Sequence, residues 1–379
     1  MGLPGAVVDL YIDREPLLRG LARIQGIVEK KPSNQNYAHV LMEASDTDLV
    51  LTATDGTMTL IGVLQARVEG GGRCTADAAK LFAIVRLLDA SVVRFQLTRG
   101  ARLSVRAGNA EYHLNTTDGS DFPPSPARDD RSNLTVPGAD LRRLVDETYF
   151  SVSMDDNRYG LNGAHLERVE AADGSSRLRM VTTDGSRLSL SEASLTGDLG
   201  IPKRTLIPRK ALAELKKLVD EVDSSWTLSF GERSLTLSGQ NVTLLSRLVD
   251  GDFPDYRQVL PTGAKRRVTI ERDPLVACLK RVQLMAADRN NSVRFSFEEG
   301  RLLLSASDAR AGDAREEVTV DLEGAPLATG FNVKYLLDIL SNVRCERIQF
   351  DMGEALDPCL LRVPDRDDCL FVVMPMRLD

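Results

Sequence analysis

The chain of 379 residues has 48 Lys and Arg residues against 55 Asp and Glu residues, and its net charge at pH 7 is −7. The length suits two to four domains. No apolar run of about 18 residues and no signal-peptide pattern occurs, so we expect a soluble cytoplasmic protein. The five cysteines form no C-x-x-C pair and lie at no metal spacing from a histidine, so neither disulfides nor a zinc site is expected.

Three kinds of segment recur in the same order along the chain. Amphipathic helical segments begin, in chain order, at Arg14, Asp77, Pro137, Pro208, Arg272 and Asn332. Apolar strands end at Asp55, Asp184 and Asp308, in steps of 129 and 124 residues (184 − 55 and 308 − 184). A solenoid unit is only about 20 to 50 residues long, so each of these copies is predicted to be a domain with its own core.

The predicted domains are residues 1–130, 131–264 and 265–379. The polar, Pro-rich segment 122–133 and the short segment 261–267 mark the seams between them. Alternating segments at 102–114 and 234–248, each with a Gly/Asn turn, predict antiparallel hairpins. Two helices against a mostly antiparallel sheet predict an α+β fold for each repeat.

Positive charge is concentrated on the predicted helices, while the rest of the chain is acidic. At 100° per residue, the first helix sorts into an apolar face and a basic face. The apolar face carries Leu17, Leu21, Ile24 and Val28, and the opposite face carries Arg19, Arg23 and Lys30. A set of helices with basic outer faces suits a polyanionic ligand. Basic helices that merely balance acidic loops would give the same distribution of charge along the sequence.

The sequence predicts no catalytic centre, cofactor or metal. The three histidines, His39, His113 and His165, fit no nucleophile, metal or acid-base pattern. Asp184 has equivalents in the other two repeats, which favours a turn residue over a catalytic carboxylate. Gly70, Gly71 and Gly72 lack the Lys-Ser/Thr of a phosphate loop. These observations favour a binding or scaffolding role.

Several phrases resemble the bacterial DNA polymerase III beta subunit, the family of sliding clamps, over essentially the whole chain. They are RYGLNG (158–163), TTDGSRL (182–188), LIPRKALAEL (206–215), SRLVDGDFPDYRQVLP (246–261), GFNVKYLLDIL (330–340) and VVMPMRL (372–378). The resemblance implies three similar clamp domains per chain and a head-to-tail homodimer that forms a six-domain ring. Twelve helices would line that ring around duplex DNA, so that processivity comes from topology without catalysis.

The resemblance also implies a groove for short peptide motifs of the polymerase, the clamp loader, repair polymerases and mismatch-repair proteins. Two methionines around a proline near the end of the chain give a surface that can repack around varied ligands, although they would also suit a terminal core strand. The implied groove residues are Arg158, Leu161, Thr183, Gly185, Ser186, Arg187, Leu188, Pro254, Val259, Asn332, Tyr335, Val372, Met374, Pro375, Met376 and Arg377.

Two further surfaces follow from the resemblance. The implied ring interface pairs Tyr112 and Leu114 in the first domain with Leu284 and Met285 in the third. Sequence-independent contacts to DNA phosphates are expected from Arg19, Arg23, Lys30, Lys31, Tyr159, Arg209, Lys210, Lys217, Lys280, Arg281 and Lys334.

The chain departs from the family pattern at Gly160, Ser186 and Asp379. Two other functions stay open at this point. One is a paralogous clamp dedicated to repair or drug resistance, and the other is a peptide-binding scaffold that never meets DNA. An unrecognised hydrolase would need an acid-base or metal constellation that the sequence does not offer.

Overall fold

A computed structural model describes residues 8–30, 32, 34–98, 102–117, 119–125, 132–155, 157–158, 160–171, 174–195, 201–202, 205–221, 224–287 and 290–378. The chain forms two compact units. The first comprises Met1–Ala139 with Ala213–Leu248, and the second comprises Asp140–Leu212 with Val249–Asp379.

Six α-helices occur in the described residues, each at a predicted position: α1 (Arg14–Ile24), α2 (Ala78–Leu87), α3 (Gly138–Thr148), α4 (Arg209–Glu221), α5 (Arg272–Val282) and α6 (Val333–Asn342). The apolar face of α1 is buried through Leu17, Leu21 and Ile24, as predicted. The helix ends at Ile24, however, so the placement of Val28 and Lys30 on its two faces was wrong. None of these helices is both long and apolar enough to cross a membrane.

Strands make up the rest of the regular structure. They are β1 (Asp9–Asp13), β2 (His39–Ser45), β3 (Asp48–Thr54), β4 (Met58–Gln65), β5 (Arg67–Gly70), β6 (Gly72–Asp77), β7 (Val92–Thr98), β8 (Arg102–Ala107), β9 (Ala110–Asn115), β10 (Ser132–Pro137), β11 (Gly163–Glu170), β12 (Ser176–Thr183), β13 (Arg187–Ser194), β14 (Thr205–Pro208), β15 (Ser225–Phe230), β16 (Ser234–Gly239), β17 (Val242–Arg247), β18 (Arg266–Glu271), β19 (Ser292–Glu298), β20 (Arg301–Asp308), β21 (Gly312–Glu323), β22 (Leu327–Asn332), β23 (Arg347–Met352), β24 (Cys359–Arg362) and β25 (Cys369–Val373).

The first unit contains two antiparallel sheets, in the strand orders β5-β1-β7-β8-β9 and β10-β15-β16-β17-β4-β3-β2-β6. The predicted hairpins β8–β9 and β16–β17 are both present. The larger sheet joins two sequence repeats, because β17 pairs with β4 and places Leu244 opposite Leu60.

The second unit contains a twelve-stranded sheet in the order β14-β11-β12-β13-β25-β24-β23-β18-β21-β20-β19-β22. The second and third repeats join where β13 pairs with β25. Helices α5 and α6 pack on the third-repeat part of this sheet over an apolar core that includes Phe295, Phe331 and Phe350. Phe295 and Phe331 meet edge to face, with ring centroids 5.2 Å apart.

The three aspartates at the ends of apolar strands are turn residues, as predicted. One carboxylate oxygen of each accepts hydrogen bonds from the backbone N–H groups two and three residues later. The distances are 2.8 and 2.6 Å at Asp55, 2.9 and 3.1 Å at Asp184, and 2.8 and 2.9 Å at Asp308. The carboxylates are used in holding the backbone, which explains why the residue type recurs.

Candidate peptide-binding groove and basic helix faces

A groove of about 170 Å³ lies in the second unit, where the β12–β13 turn, β25 and the short 3₁₀ helix Tyr256–Val259 meet. It brings together nine predicted residues, Leu161, Thr183, Gly185, Arg187, Leu188, Pro254, Val259, Val372 and Met374. These residues come from four separate stretches of sequence, and the pairing of β13 with β25 brings two of them together.

The groove has an apolar floor and exposed apolar side chains at its rim. Leu188 and Val372 lie opposite each other on β13 and β25, and both are buried. Val259 and Met374 remain 46% and 39% exposed. The backbone N–H of Met374 donates to the Ser186 carbonyl over 2.9 Å, which fixes this side of the rim. A buried apolar floor beneath exposed apolar side chains suits a ligand with bulky apolar groups.

The β12–β13 turn needs glycine at Gly185, where φ is +87°. The Thr183 hydroxyl closes the turn by donating to the Arg187 carbonyl over 2.6 Å and accepting from the Gly185 N–H over 3.1 Å. Arg158 Nη1 donates to the Asp184 carbonyl over 2.8 Å. The half-exposed Arg158 therefore supports the turn at the edge of the groove.

Arg187 lines the groove, but its guanidinium is engaged by the chain itself. Nε donates to Asp184 Oδ2 over 3.0 Å, Nη1 to Asp338 Oδ2 over 2.7 Å, and Nη2 to the Phe150 carbonyl over 2.5 Å. The guanidinium carbon also lies 4.5 Å from the centre of the Tyr335 ring. Only 9% of this side chain is exposed, so Arg187 ties strand, helix and turn together.

Asp255 and Tyr256 also line the groove and were missed by the sequence prediction. The signal was present, because an aromatic residue stands between Pro254 and Val259 in an otherwise polar stretch. Tyr256 is 3% exposed and belongs to an apolar cluster with Leu188 and Val372.

The remaining predicted groove residues lie outside this cavity: Arg158, Ser186, Asn332, Tyr335, Pro375, Met376 and Arg377. Asn332 caps α6, since its side-chain oxygen accepts from the Lys334 N–H over 3.0 Å. Met376 donates from its backbone N–H to the Gly330 carbonyl over 2.7 Å, which anchors the end of the chain beside β22.

The departure at Gly160 has a local reason. Its φ is +87°, and a Cβ atom there would lie 2.5 Å from the carbonyl oxygen of Asp252. The backbone at this position therefore excludes any larger residue. Lys31, Tyr159 and Asp379, which were also singled out in the sequence, lie outside the described residues.

The predicted DNA-facing cations differ in how they are held. Arg19, Lys30, Lys210, Lys217, Lys280, Arg281 and Lys334 are exposed, and Arg23 and Arg209 are half-buried. Several of them have partners within the chain. Arg281 pairs with Glu316 over 2.7 Å, Lys217 pairs with Glu214 over 2.8 Å, and the guanidinium of Arg209 lies 5.5 Å from the Tyr149 ring.

The predicted interface residues lie at the surface of their own units. In the first unit, Tyr112 is exposed and Leu114 is half-buried on β9, the last strand of its sheet. In the second unit, Leu284 is 77% exposed and Met285 is half-buried, in the turn Gln283–Met285 that follows α5. An unpaired strand edge and a bulky exposed leucine are features of surfaces that bind another protein.

Three models of DNA polymerase III beta subunit domains match the chain in order. The N-terminal domain matches residues 8–126, the central domain 135–255 and the C-terminal domain 257–377. The chain belongs to the DNA polymerase III beta subunit family. The resemblance of its motifs and the predicted fold of three similar α+β clamp domains are both confirmed.

Relatives in this family match over nearly their whole length. The beta sliding clamp of Caulobacter vibrioides is 32% identical over 374 residues, which cover 98% of this chain and 100% of that clamp. The beta sliding clamp of Pseudomonas aeruginosa is 34% identical over 373 residues, 97% and 99% of the two chains. The crystal structure of the Bartonella birtlesii clamp superposes with a TM-score of 0.93 at 30% identity, covering 98% of this chain and 100% of that one.

Membership assigns the chain's function as a DNA sliding clamp that tethers DNA polymerase. A clamp is a processivity factor and catalyses no reaction, so the expectation of a non-enzymatic protein is confirmed. The family binds DNA and polymerase.

Proposed function

We propose that two copies of this chain associate head to tail into a six-domain ring that encircles duplex DNA in the cytoplasm. The observation that carries this proposal is the run of three clamp-domain matches from residue 8 to residue 377. The domains are residues 1–130, 131–264 and 265–379. Tyr112 and Leu114 of one copy meet Leu284 and Met285 of the other in a heterologous contact that closes on itself.

Duplex DNA is held through its phosphates, without reading of bases. Exposed cations on successive helices supply the attraction, and an otherwise acidic surface limits attachment elsewhere. Because topology prevents escape, individual contacts can stay weak enough for sliding.

The groove binds short peptide motifs of the replicative polymerase alpha subunit, the clamp loader, repair polymerases and mismatch-repair proteins. Its apolar floor at Leu188 and Val372 and its exposed Met374 support this assignment. Two solved clamps with the same fold, from Bartonella birtlesii and Pseudomonas aeruginosa, are bound to griselimycin.

The test is loading onto nicked circular DNA by the cognate loader with ATP, followed by linearisation. We expect the chain to stay on the circle through gel filtration and to leave once the circle is cut. L284D, which places a charge in the proposed interface, should fail to be retained on either form. Retention on linear DNA with free ends would show binding by contacts alone, and no retention on circles would support a scaffold that never encircles DNA.

A further inference from the structure

The wall of the groove is formed by Pro254, Asp255 and Val259. Its neighbours attach it to the sheet: Phe253 stacks on His165 with ring centroids 5.3 Å apart, and Arg257 pairs with Glu167 over 3.0 Å. All three residues are exposed, and their segment is no part of the sheet. Its 3₁₀ helix is closed by local hydrogen bonds, such as the Arg257 N–H to Asp255 Oδ1 at 3.3 Å. Local bonds shape the turn, but the position of the turn over the groove depends on what lies beneath it.

Tyr256 is the buried residue of this turn. Its ring packs in the apolar cluster that also contains Leu188 and Val372, the floor of the groove. Its hydroxyl points into charged groups on the neighbouring strands. The hydroxyl donates to Glu167 Oε1 on β11 over 2.5 Å and accepts from Arg179 Nη1 on β12 over 2.7 Å.

Each partner of the hydroxyl is itself fixed. Arg179 donates from Nε to Glu192 Oε1 over 2.7 Å, and Glu192 is buried on β13. Glu167 accepts from Arg257 Nη2 at 3.0 Å and lies 3.7 Å from His165 Nε2. Burial raises the pKa of the Tyr256 phenol above its usual value, and Glu167 adds to that effect, so the hydroxyl keeps its proton and its role as donor. The hydroxyl therefore joins the turn directly to β11 and β12, and through Arg179 to β13.

We propose that Tyr256 is a positioning residue for the peptide groove: its hydroxyl, held between Glu167 and Arg179, fixes the wall whose Pro254 and Val259 contact the ligand. This proposal rests on the proposed groove function. A buried hydroxyl in a satisfied charge network is costly to remove, because both of its charged partners lose a hydrogen bond in a largely buried setting. If the wall is already ordered before binding, none of the binding free energy is lost in ordering it.

The test uses Y256F, which keeps the ring and deletes the hydroxyl. Griselimycin is the probe, and its binding is measured by isothermal titration calorimetry and surface plasmon resonance. Y37F, a hydroxyl deletion in the first repeat, is the matched control. We expect Y256F to weaken griselimycin binding by about tenfold, mainly through faster dissociation. Amide hydrogen exchange should quicken at residues 255–260 while Thr183–Leu188 keep their protection. Y37F should match the wild type in all three measurements.

A double-mutant cycle separates positioning from general destabilisation. If the hydroxyl acts through Glu167, then E167Q weakens binding as well, and adding Y256F to E167Q costs clearly less than Y256F alone. Additive losses, exchange that quickens throughout the unit, or unchanged affinity in Y256F would overturn the positioning role. Failure of the wild-type chain to bind griselimycin at all would overturn the groove assignment, and the positioning role with it.

Discussion

Arg187 of β13 and Asp338 of α6 join the second sequence repeat to the third through a hydrogen-bonded ion pair, with Nη1 and Oδ2 2.7 Å apart. The same guanidinium reaches Asp184 and the Phe150 carbonyl and lies over the Tyr335 ring. Arg187, which the family resemblance places in the peptide groove, is thus also a polar link between β13 and α6.

We expect R187A to lower the free energy of unfolding by about 3 kcal/mol, because it leaves Asp338 and Asp184 without their buried cation. R187K should lose less stability than R187A, since lysine keeps the positive charge but lacks the planar guanidinium that bonds several acceptors at once. Urea denaturation of both variants measures this. R344A removes an exposed arginine near the end of α6 and serves as the control. Equal stability of R187A and R344A would contradict the linking role.

The elements were predictable from the sequence, but the joins between repeats were not. Helices α1 to α6 and the three aspartate turns follow from periodicity and turn chemistry, which are local properties. The pairings of β4 with β17 and of β13 with β25 depend on exposed backbone edges, which carry no side-chain signature. Nine groove residues were predicted by family resemblance. Asp255 and Tyr256 were not, although the sequence places an aromatic residue between Pro254 and Val259, because only tertiary packing shows that both line the groove.

Gly26, just beyond α1, is a site where any side chain should be destabilising. A Cβ atom there would lie 2.0 Å from Oε2 of Glu214, a buried carboxylate on α4 that pairs with Lys217. We expect G26A to lower the free energy of unfolding by about 1 to 3 kcal/mol through overpacking. Thermal and urea unfolding both report this change.

Two variants make that prediction specific. G62A adds the same methyl group where nothing lies within 4 Å, and it should leave stability unchanged or slightly raised. In G26A/E214A the obstructing carboxylate is gone, so the added cost of G26A in that background should be small. If G26A lowered stability as much in the E214A background as in the wild type, the loss would come from the backbone conformation at Gly26 and not from the clash with Glu214.

Glu167 should make stability depend on pH in the acid range. Burial disfavours the carboxylate, but hydrogen bonds from His165 and Tyr256 and the charge of Arg257 outweigh it and hold the pKa at about 2, against 4.5 in a free glutamate. Because the folded pKa is the lower one, this stabilisation is complete above about pH 4.5 and is lost as the pH falls toward 2.

The comparison is wild type against E167Q in urea denaturation from pH 6 to pH 2. We expect the stability advantage of the wild type to shrink by roughly 3 kcal/mol over that range. E170Q alters an exposed glutamate on the same strand and should show no such trend. An advantage that stays constant with pH would place the Glu167 pKa near its ordinary value.

Lys280 and Arg281 are neighbours on α5 and test whether an ion pair withdraws a cation from DNA. Both are exposed, but Arg281 donates from Nε and Nη2 to the two carboxylate oxygens of Glu316 over 2.7 Å. Lys280 has no ion pair within the described residues. Because Glu316 already neutralises the charge of Arg281, contact of Arg281 with DNA should release few counterions.

The salt dependence is the slope of log affinity for a short DNA duplex against log salt concentration. We expect K280A to reduce the magnitude of this slope by about one, and R281A to reduce it by less. E316Q should act in the opposite direction, because it frees Arg281 to meet a phosphate and so steepens the slope. Fluorescence anisotropy over a salt series measures all three. If R281A matched or exceeded K280A, the pair with Glu316 would not hold in the presence of DNA, and phosphate would have displaced the carboxylate.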